Sequence, residues 1–407
     1  MAQLDERAEK ALEKIRYLSA IIGGRGSCTP HERRAAGYTV EQMEALGVQT
    51  VRLEPFRGAP STYRPFALIF GAAIVGTLLA WLLESTGTAA LAAAINALGL
   101  WGMLAETDFA TNWMRLLLPK ADSQNAAGII PARHEVRQRV LLCAHVDTHR
   151  TPVFYSSKRW HKLFGVLVTA AFISLAVGTV AYGLLAVLNW ELGLWIGALV
   201  SFVQVVFLDL CLHADRTPFS PGANDNASGV GVILTLAQHL VQEPLSHTEV
   251  WLAFTGCEEV GAYGMSAFLD AHAAELGPEA VYVILDQVGR GVLTYLSSDG
   301  LIIKRKTHPQ ALDLARRAAA ALSPLEVRER PGIAYTDAAV ATKRGLITLA
   351  LCAIPPSEGD ESTHWHQMSD TLDKVAPQAL VDAYAFTAQV LKEIDEGAGA
   401  AAKPDSG

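Results

Sequence analysis

The sequence lacks any Cys-x-x-Cys pair, and its cysteine count is odd, at five in 407 residues. A disulfide framework uses paired cysteines in an oxidising compartment, so we expect free thiols in a reducing one. Cys143, Cys257 and Cys352 lie near the ends of apolar runs and are predicted to be small core residues. The first 20 residues contain no apolar h-region, so we predict no signal peptide.

Positive charge is also scarce, because 33 Lys and Arg accompany 41 Asp and Glu, for a formal net charge of −8. Proteins that bind nucleic acids present a basic face, so we expect no nucleic-acid partner. Charged residues of both signs make up only 18% of the chain, whereas apolar residues make up 51%. This balance favours a protein that lies partly in a membrane.

Two apolar blocks, residues 65–105 and 163–212, interrupt the chain, and a short polar turn divides each block into two segments. A membrane-spanning helix needs about 20 apolar residues, so the blocks predict two transmembrane hairpins. Buried helices of a soluble domain are the alternative. Such helices usually keep one polar face, and the first and third segments are apolar all round.

The orientation of the hairpins follows from their basic residues. The turns inside the hairpins carry Glu84 and Glu191, whereas the basic residues flank the blocks: Arg57, Arg64, Arg115, Lys120, Lys158, Arg159, Lys162 and Arg216. Basic flanks stay on the cytoplasmic side of a membrane. We therefore expect an integral protein of a bacterial-type cell membrane, with the lipid bilayer as partner and with both termini in the cytoplasm.

The rest of the chain predicts one α/β domain. Four apolar runs, at residues 139–144, 249–255, 280–285 and 346–352, have the composition of buried strands, and helical patterns fall between them. This alternation predicts a three-layer sandwich with a mostly parallel central sheet, beside the two transmembrane hairpins. Residues 1–64, 106–162 and 213–396 would form this domain together, and residues 397–407 a disordered tail.

Ionisable residues follow three of these runs directly, and ligands of open α/β sheets bind beyond the carboxyl ends of the strands. Zinc takes imidazole and carboxylate ligands. A carboxylate that bridges two metals, with one His and one further carboxylate for each, would leave each metal open to water and substrate. The candidate ligands, in chain order, are His145, Asp225, Glu259, Asp286 and His366.

Each candidate is weak alone, because His-x-Asp pairs, acidic pairs and capping loops are common on surfaces. Asp147 lies two residues after His145 and would orient its imidazole ring. The adjacent side chains of Glu258 and Glu259 point in different directions, so one can bind a metal while the other stays free to act as a general base. All these residues in one order, at strand ends, predict a metal centre more strongly than any single one.

The motif order HVD at 145–147, NDNASG at 224–229, EE at 258–259, Asp286 and HQMSDT at 366–371 resembles metallopeptidase family 28. That family contains zinc aminopeptidases, glutaminyl cyclases and glutamate carboxypeptidases. The resemblance implies a zinc-dependent exopeptidase with two Zn²⁺ per chain and a peptide substrate, an aminopeptidase above all. It covers the soluble segments and leaves the hairpins unexplained.

The resemblance also implies a role for each residue. His145 and Asp286 would bind one metal, Glu259 and His366 the other, and Asp225 would bridge them. Glu258 would be the general base, and Asp147 the partner of His145. The competitor His364 is less favoured, because Asp370 follows His366 at the family's spacing of four; Gln367 departs from the family's usual Thr. The Asp225–Asn226 peptide is expected to be cis.

Three other functions compete with the peptidase. A glutaminyl cyclase would need a single zinc, a catalytically dead membrane scaffold or receptor would normally lose ligands, and a transporter would need ionisable residues inside its membrane helices. The substrate is open, because it depends on loops such as 290–300 and 353–363. Tyr335 and Asp337 are expected near that pocket.

Overall fold

The computed structural model describes residues 5–355 and 364–400. Its contacts divide the chain into two units. The first, called the sheet unit here, comprises Met1–Pro60, Lys120–His149 and Pro218–Gly407. The second, called the helical unit, comprises Ser61–Pro119 and Arg150–Thr217.

The sheet unit contains one mixed sheet. Its described strands are β1 (Gln49–Gly58), β2 (Ala121–Ile130), β3 (Gln138–His145), β4 (Thr248–Thr255), β5 (Val281–Leu285), β6 (Val292–Asp299), β7 (Arg305–Lys306), β8 (Arg328–Pro331) and β9 (Ile347–Ile354). The order is β1-β2-β4-β3-β5-β9-β6-β7, with β8 paired to β6. The central strands β4, β3, β5 and β9 are parallel to their neighbours within this group.

These four central strands are the four runs predicted from apolar composition. The expected mostly parallel sheet holds only for this centre, because β1, β2, β6 and β7 pair antiparallel at the two sides. Strand β1 alternates between exposed and partly buried positions, and β2 and β6 include polar residues, so these strands lack the continuous apolar run that marked the centre.

Helices cover both faces of this sheet. The described helices of the unit are α1 (Glu6–Arg16), α2 (Pro30–Leu46), α8 (Ala227–Gln242), α9 (Tyr263–Leu276), α10 (Pro309–Ala321), α11 (Ala338–Lys343) and α12 (Pro377–Ala400). On β4, Val250, Leu252 and Phe254 belong to the main core, which α1, α8, α10 and α12 also line. The alternate residue Trp251 meets Phe268 of α9 instead. Because successive strand residues face opposite sides, the helices form two outer layers, and the predicted three-layer α/β fold is confirmed.

The helical unit contains α3 (Tyr63–Leu83), α4 (Thr86–Thr107), α5 (Trp113–Leu117), α6 (Lys158–Leu188) and α7 (Leu192–Ala214). By length and composition, α3, α4, α6 and α7 could each cross a membrane. The unit extends beyond the predicted hairpins. Arg115 of α5 forms a buried ion pair with Glu106 of α4, and α6 begins at Lys158, where the Ser157 hydroxyl caps the helix.

The helical unit is apolar outside and polar at selected points inside. Large apolar side chains such as Leu82, Val187 and Leu199 are exposed. Inside, the Gln204 amide donates to Asn96 Oδ1 over 2.8 Å. Helices in membranes pack through small and polar residues in this way, because contact with lipid removes the hydrophobic force that would otherwise drive apolar surfaces together.

The chain end differs from the expected tail. Helix α12 runs to Ala400, so residues 397–400 are helical. Their sequence is GAGA, and Ala is the best helix former, so it supports the last turn of α12. Residues 401–407 lie outside the described part of the chain.

Candidate metal centre

The predicted ligands meet at the carboxyl edge of the central strands. His145 ends β3, Glu258 and Glu259 follow β4, and Asp286 follows β5. Because these strands are parallel neighbours, their ends lie side by side. The loop before α8 and the loop after β9 supply the two remaining ligands.

Asp225 lies at the middle of the cluster, with one carboxylate oxygen toward each histidine. Its Oδ1 is 3.3 Å from His145 Nε2, and its Oδ2 is 3.3 Å from His366 Nε2. Asp286 Oδ1 is 3.6 Å from His145 Nε2, and Glu259 Oε2 is 3.2 Å from His366 Nε2. All five side chains are buried. Asp225 therefore lies between His145 with Asp286 on one side and His366 with Glu259 on the other.

The donor set fits a cation. Glu258 Oε1, Glu259 Oε1 and Asp286 Oδ1 are buried, and none has a hydrogen-bond partner among the described residues. An ionised carboxylate buried in this way costs several kcal/mol unless a positive charge compensates it. Imidazole nitrogens and carboxylate oxygens are the donors that Zn²⁺ prefers. The residues at this edge of the sheet therefore suit bound zinc.

The histidines are strongly basic in this setting. Burial lowers the pKa of His145, but Glu258 and the other nearby carboxylates outweigh burial and raise the pKa well above its usual value. Burial likewise acts against His366, and the neighbouring Glu259 and Asp225 raise its pKa to about 9. Burial would raise the pKa of Asp225, but its contacts with His145 and His366 lower it. The cluster thus attracts positive charge.

Glu258, the predicted general base, is buried and lies next to His145 of the cluster. Its Oε2 is 4.0 Å from His145 Nε2. Burial raises the pKa of Glu258 well above its usual value, and the neighbouring Glu259 and Asp286 add to the effect. The Tyr335 hydroxyl donates to the Glu258 carbonyl oxygen over 3.0 Å, so the residue is fixed at its backbone as well.

Asp147 contacts more than the ring it was expected to orient. Its carboxylate accepts from the backbone N–H of Glu258 at 3.1 Å and of Glu259 at 3.2 Å. The Ser27 hydroxyl donates to the same carboxylate over 2.6 Å. His145 Nδ1 lies 3.1 Å from the Asp147 carbonyl oxygen and 3.6 Å from its carboxylate, so the backbone contact is the shorter one. Asp147 thus links the two loops that carry His145 and the glutamates.

The loops before α8 and after β9 are fastened together by Asp370. Its carboxylate accepts from the backbone N–H of Asn224 at 2.8 Å and of Asp225 at 3.0 Å. The Asp225–Asn226 peptide is cis, as expected. His364 lies away from the cluster, with Nδ1 2.8 Å from the Ser369 hydroxyl. The structure therefore brings His366 and not His364 to Asp225.

Two residues of the site were missed in the sequence. The His149 ring stacks on His366 with centroids 3.7 Å apart, and His149 forms a possible metal-binding group with Glu259 and His366. The guanidinium of Arg25 is fully buried and donates to carbonyl oxygens of five residues: Leu18, Gly23, Val146, Pro221 and Gly222. His149 lies only four residues after His145, which was a usable signal. Nothing in the sequence indicates the partners of Arg25.

Some of the residues and loops expected to form the substrate pocket lie near the centre, and others do not form loops. Tyr335 contacts Glu258, and Asp337 Oδ2 accepts from the Thr255 hydroxyl at the end of β4, so both lie by the centre. Residues 292–299 are strand β6 and not a loop, because they pair with β9 and β8. Of the loop 353–363, residues 356–363 lie outside the described part of the chain.

Parts of the chain are similar to known peptidases. Residues 207–391 match the model of peptidase family M28. Aminopeptidase YwaD of Bacillus subtilis is 44% identical over 78 residues, which are 19% of this chain and 17% of that protein. The probable lipoprotein aminopeptidase LpqL of Mycobacterium tuberculosis is 34% identical over 89 residues, which are 22% of this chain and 18% of that protein. The chain thus spans less than a fifth of the length of either curated relative.

Solved structures match over nearly the whole chain. The zinc aminopeptidase BSAP of Bacillus subtilis has a TM-score of 0.58 at 16% identity, and the match covers 96% of both chains. The glutaminyl cyclase of Porphyromonas gingivalis has a TM-score of 0.55 at 15% identity, over 95% of this chain and 98% of that one. At these identities the likeness establishes the shared fold.

Proposed function

The chain carries a peptidase family M28 region at residues 207–391, and from this premise we propose that it is a membrane-anchored aminopeptidase with two Zn²⁺ per chain. The observation that carries the proposal is the position of Asp225. Its two oxygens each face a different histidine at 3.3 Å, which is the arrangement a carboxylate bridge between two ions requires.

The two units would have different tasks. The sheet unit is the catalytic domain, and α3, α4, α6 and α7 of the helical unit are the membrane anchor. Support for the anchor is the length and apolar character of these helices. Support for a cytoplasmic catalytic domain is the placement of basic residues outside the hairpins and of Glu84 and Glu191 in their turns.

The ligands divide between the two ions. His145 and Asp286 would hold one ion, Glu259 and His366 the other, and Asp225 both. When bound, the ions supply Lewis acidity, which polarises the scissile carbonyl and makes a water molecule easier to deprotonate. The protein supplies the buried, rigid setting in which these donors keep their positions.

Glu258 would move the proton during peptide hydrolysis. Its carboxylate takes a proton from the attacking water and then donates it to the nitrogen of the leaving amine. The raised pKa makes the Glu258 carboxylate a stronger base than an ordinary carboxylate, which favours the first of these steps. Asp147 and Tyr335 hold Glu258 at its N–H and its carbonyl oxygen, and they are positioning residues.

The test is Glu258→Gln in the full-length protein. The amide keeps the shape of the side chain and cannot take the proton, so we expect turnover of aminoacyl-nitroanilides to fall by a factor of about 10²–10⁴. Bound zinc should stay at the wild-type level. Glu275→Gln, at an exposed position on α9, is the matched control and should keep activity. Substantial peptidase activity in Glu258→Gln would contradict the assignment.

A further inference from the structure

Two cysteines outside the ligand set lie against each other beside the metal centre. Cys28 precedes α2, Cys257 follows β4, and their Sγ atoms are 3.4 Å apart although 229 positions separate them in the chain. Cys257 is buried, whereas Cys28 is partly exposed.

One carboxylate holds both cysteines in place. Glu32 is buried, and its Oε2 accepts from the backbone N–H of Cys28 while its Oε1 accepts from that of Cys257, both at 2.9 Å. The Ser123 hydroxyl donates to the same carboxylate over 2.9 Å. The spacing of the two thiols is therefore set by a shared anchor and is not a chance contact of two mobile side chains.

The space for the two sulfurs depends on a glycine. A Cβ added to Gly58, the last residue of β1, would lie 2.5 Å from Cys257 Sγ and 3.3 Å from Cys28 Sγ. Any larger residue would push the thiols aside. The end of β1, the loop before α2 and the loop after β4 thus together form a compartment that fits two facing thiols.

We propose that Cys28 and Cys257 form a reversible redox pair that a peroxide oxidises to a disulfide, and that this disulfide switches off the adjacent catalytic loop. The first part stands on the thiol geometry alone. The second part rests on the proposed peptidase function, because Cys257 immediately precedes Glu258 and Glu259.

The chemistry balances with hydrogen peroxide as oxidant. The Cys28 sulfur attacks one peroxide oxygen, the O–O bond breaks, and one water leaves as Cys28 becomes a sulfenic acid. The Cys257 sulfur then attacks the Cys28 sulfur, the S–S bond forms, and the S–O bond breaks. The hydroxyl leaves with the Cys257 proton as a second water. Two thiols are oxidised by two electrons, and one peroxide is reduced to two waters.

Disulfide formation must move the catalytic loop. A disulfide bond is about 2.05 Å long, so the sulfurs must approach by about 1.3 Å from their present 3.4 Å. We expect part of this movement to fall on the backbone of Cys257 and hence on Glu258. A displacement of about 1 Å at a catalytic group can lower the rate by about a hundredfold. The oxidised protein should therefore turn over its substrate about tenfold to a hundredfold more slowly.

The test uses the full-length, zinc-loaded protein in detergent. After hydrogen peroxide treatment, free thiols are alkylated and the digested protein is mapped by mass spectrometry. We expect a peptide that joins Cys28 to Cys257, a parallel fall in aminoacyl-nitroanilide turnover, and recovery of both after dithiothreitol. Cys28→Ser should form no such disulfide and should keep its activity in peroxide. Cys211→Ser, in the helical unit, is the matched control and should oxidise like the wild type.

The outcomes separate the two parts of the proposal. Separate alkylation of both thiols after peroxide, or a sulfinic acid at Cys28 without any disulfide, would overturn the redox pair. A disulfide that leaves turnover unchanged would overturn its control of the catalytic loop. Failure of the untreated protein to hydrolyse any aminoacyl substrate would count against the peptidase function, whereas the peptide map would still decide the disulfide.

Discussion

At the scale of single residues, the centre is held together by carboxylates that each contact two partners. Asp225 faces both histidines, Asp370 holds the backbone of the loop that carries Asp225, and Asp147 holds the backbone of both glutamates. Such outer contacts typically change metal affinity or activity by about 10- to 100-fold when removed. These contacts would hold the proposed ligands in position.

The basic histidines predict that metal binding releases protons. The pKa of His366 is raised to about 9 and that of His145 lies well above its usual value, so both rings hold a proton at neutral pH before metal binds. Because a ligand nitrogen must lose its proton, raising the pH should strengthen binding, and lowering it should weaken binding. We therefore expect zinc binding near pH 7 to release protons from the cluster.

The measurement is calorimetric titration of zinc into the metal-free protein in two buffers of different ionisation enthalpy. His145→Gln should release fewer protons than the wild type, because it removes one titrating ring. Equal binding heats in both buffers, with no change of affinity between about pH 6 and 8, would contradict this account.

The clustering of the proposed ligands could be predicted from the sequence, because each of them follows a strand or stands in a motif. Asp225, Glu259 and His366 were found in this way. Arg25 and the pair Cys28 and Cys257 could not be, because their roles depend on contacts between distant segments. The sequence pattern gave Cys257 only as a core residue, and the thiol facing it comes from 229 positions away.

At the scale of elements, strand composition explains which parts of the sheet could be predicted. The central strands β3, β4, β5 and β9 are buried on both faces and therefore read as continuous apolar runs. Strand β1 has alternating exposure, and β7 has only two residues. Their sequences resemble loops, so the antiparallel sides of the sheet were missed.

Two glycines of α6 in the helical unit should differ in how well they tolerate a larger side chain. A Cβ at Gly178 of α6 would lie 2.6 Å from Asn96 Oδ1, the acceptor of the Gln204 hydrogen bond, whereas nothing lies within 4 Å of a Cβ at Gly183 of the same helix. Overpacking typically costs about 1–3 kcal/mol. Gly178→Val should therefore lower the free energy of unfolding by this amount relative to Gly183→Val.

Thermal unfolding in detergent, followed by intrinsic fluorescence, compares the two variants. Both introduce the same residue into the same helix, so the intrinsic helix propensity cancels. A midpoint for Gly178→Val equal to that of Gly183→Val would show that α4 and α6 do not pack as described.

At the scale of the whole molecule, the chain builds the sheet unit from three segments separated by two helical hairpins. Each hairpin must return the chain to its starting side for these segments to fold together. Reporter fusions test the orientation. Alkaline phosphatase joined after Ser85 or after Asn189 should be active, and green fluorescent protein at these sites should be dark.

Fusions joined after Lys120 or at the end of the chain should behave in the opposite way, because these positions would be cytoplasmic. The reverse pattern at all sites would place the catalytic domain outside the cytoplasm. In that case the basic flanks would not have set the orientation.

The central claim is a dinuclear site bridged by Asp225, and counting metal tests it most directly. Zinc bound per chain is measured in wild type, in Asp225→Ala and in the exposed-site control Asp313→Ala, together with aminoacyl-nitroanilide turnover. We predict about two zinc ions per chain in wild type and in the control, with zinc and activity both lost in Asp225→Ala. About one zinc per chain in wild type, retained in Asp225→Ala, would contradict the dinuclear site and favour cyclase-like chemistry.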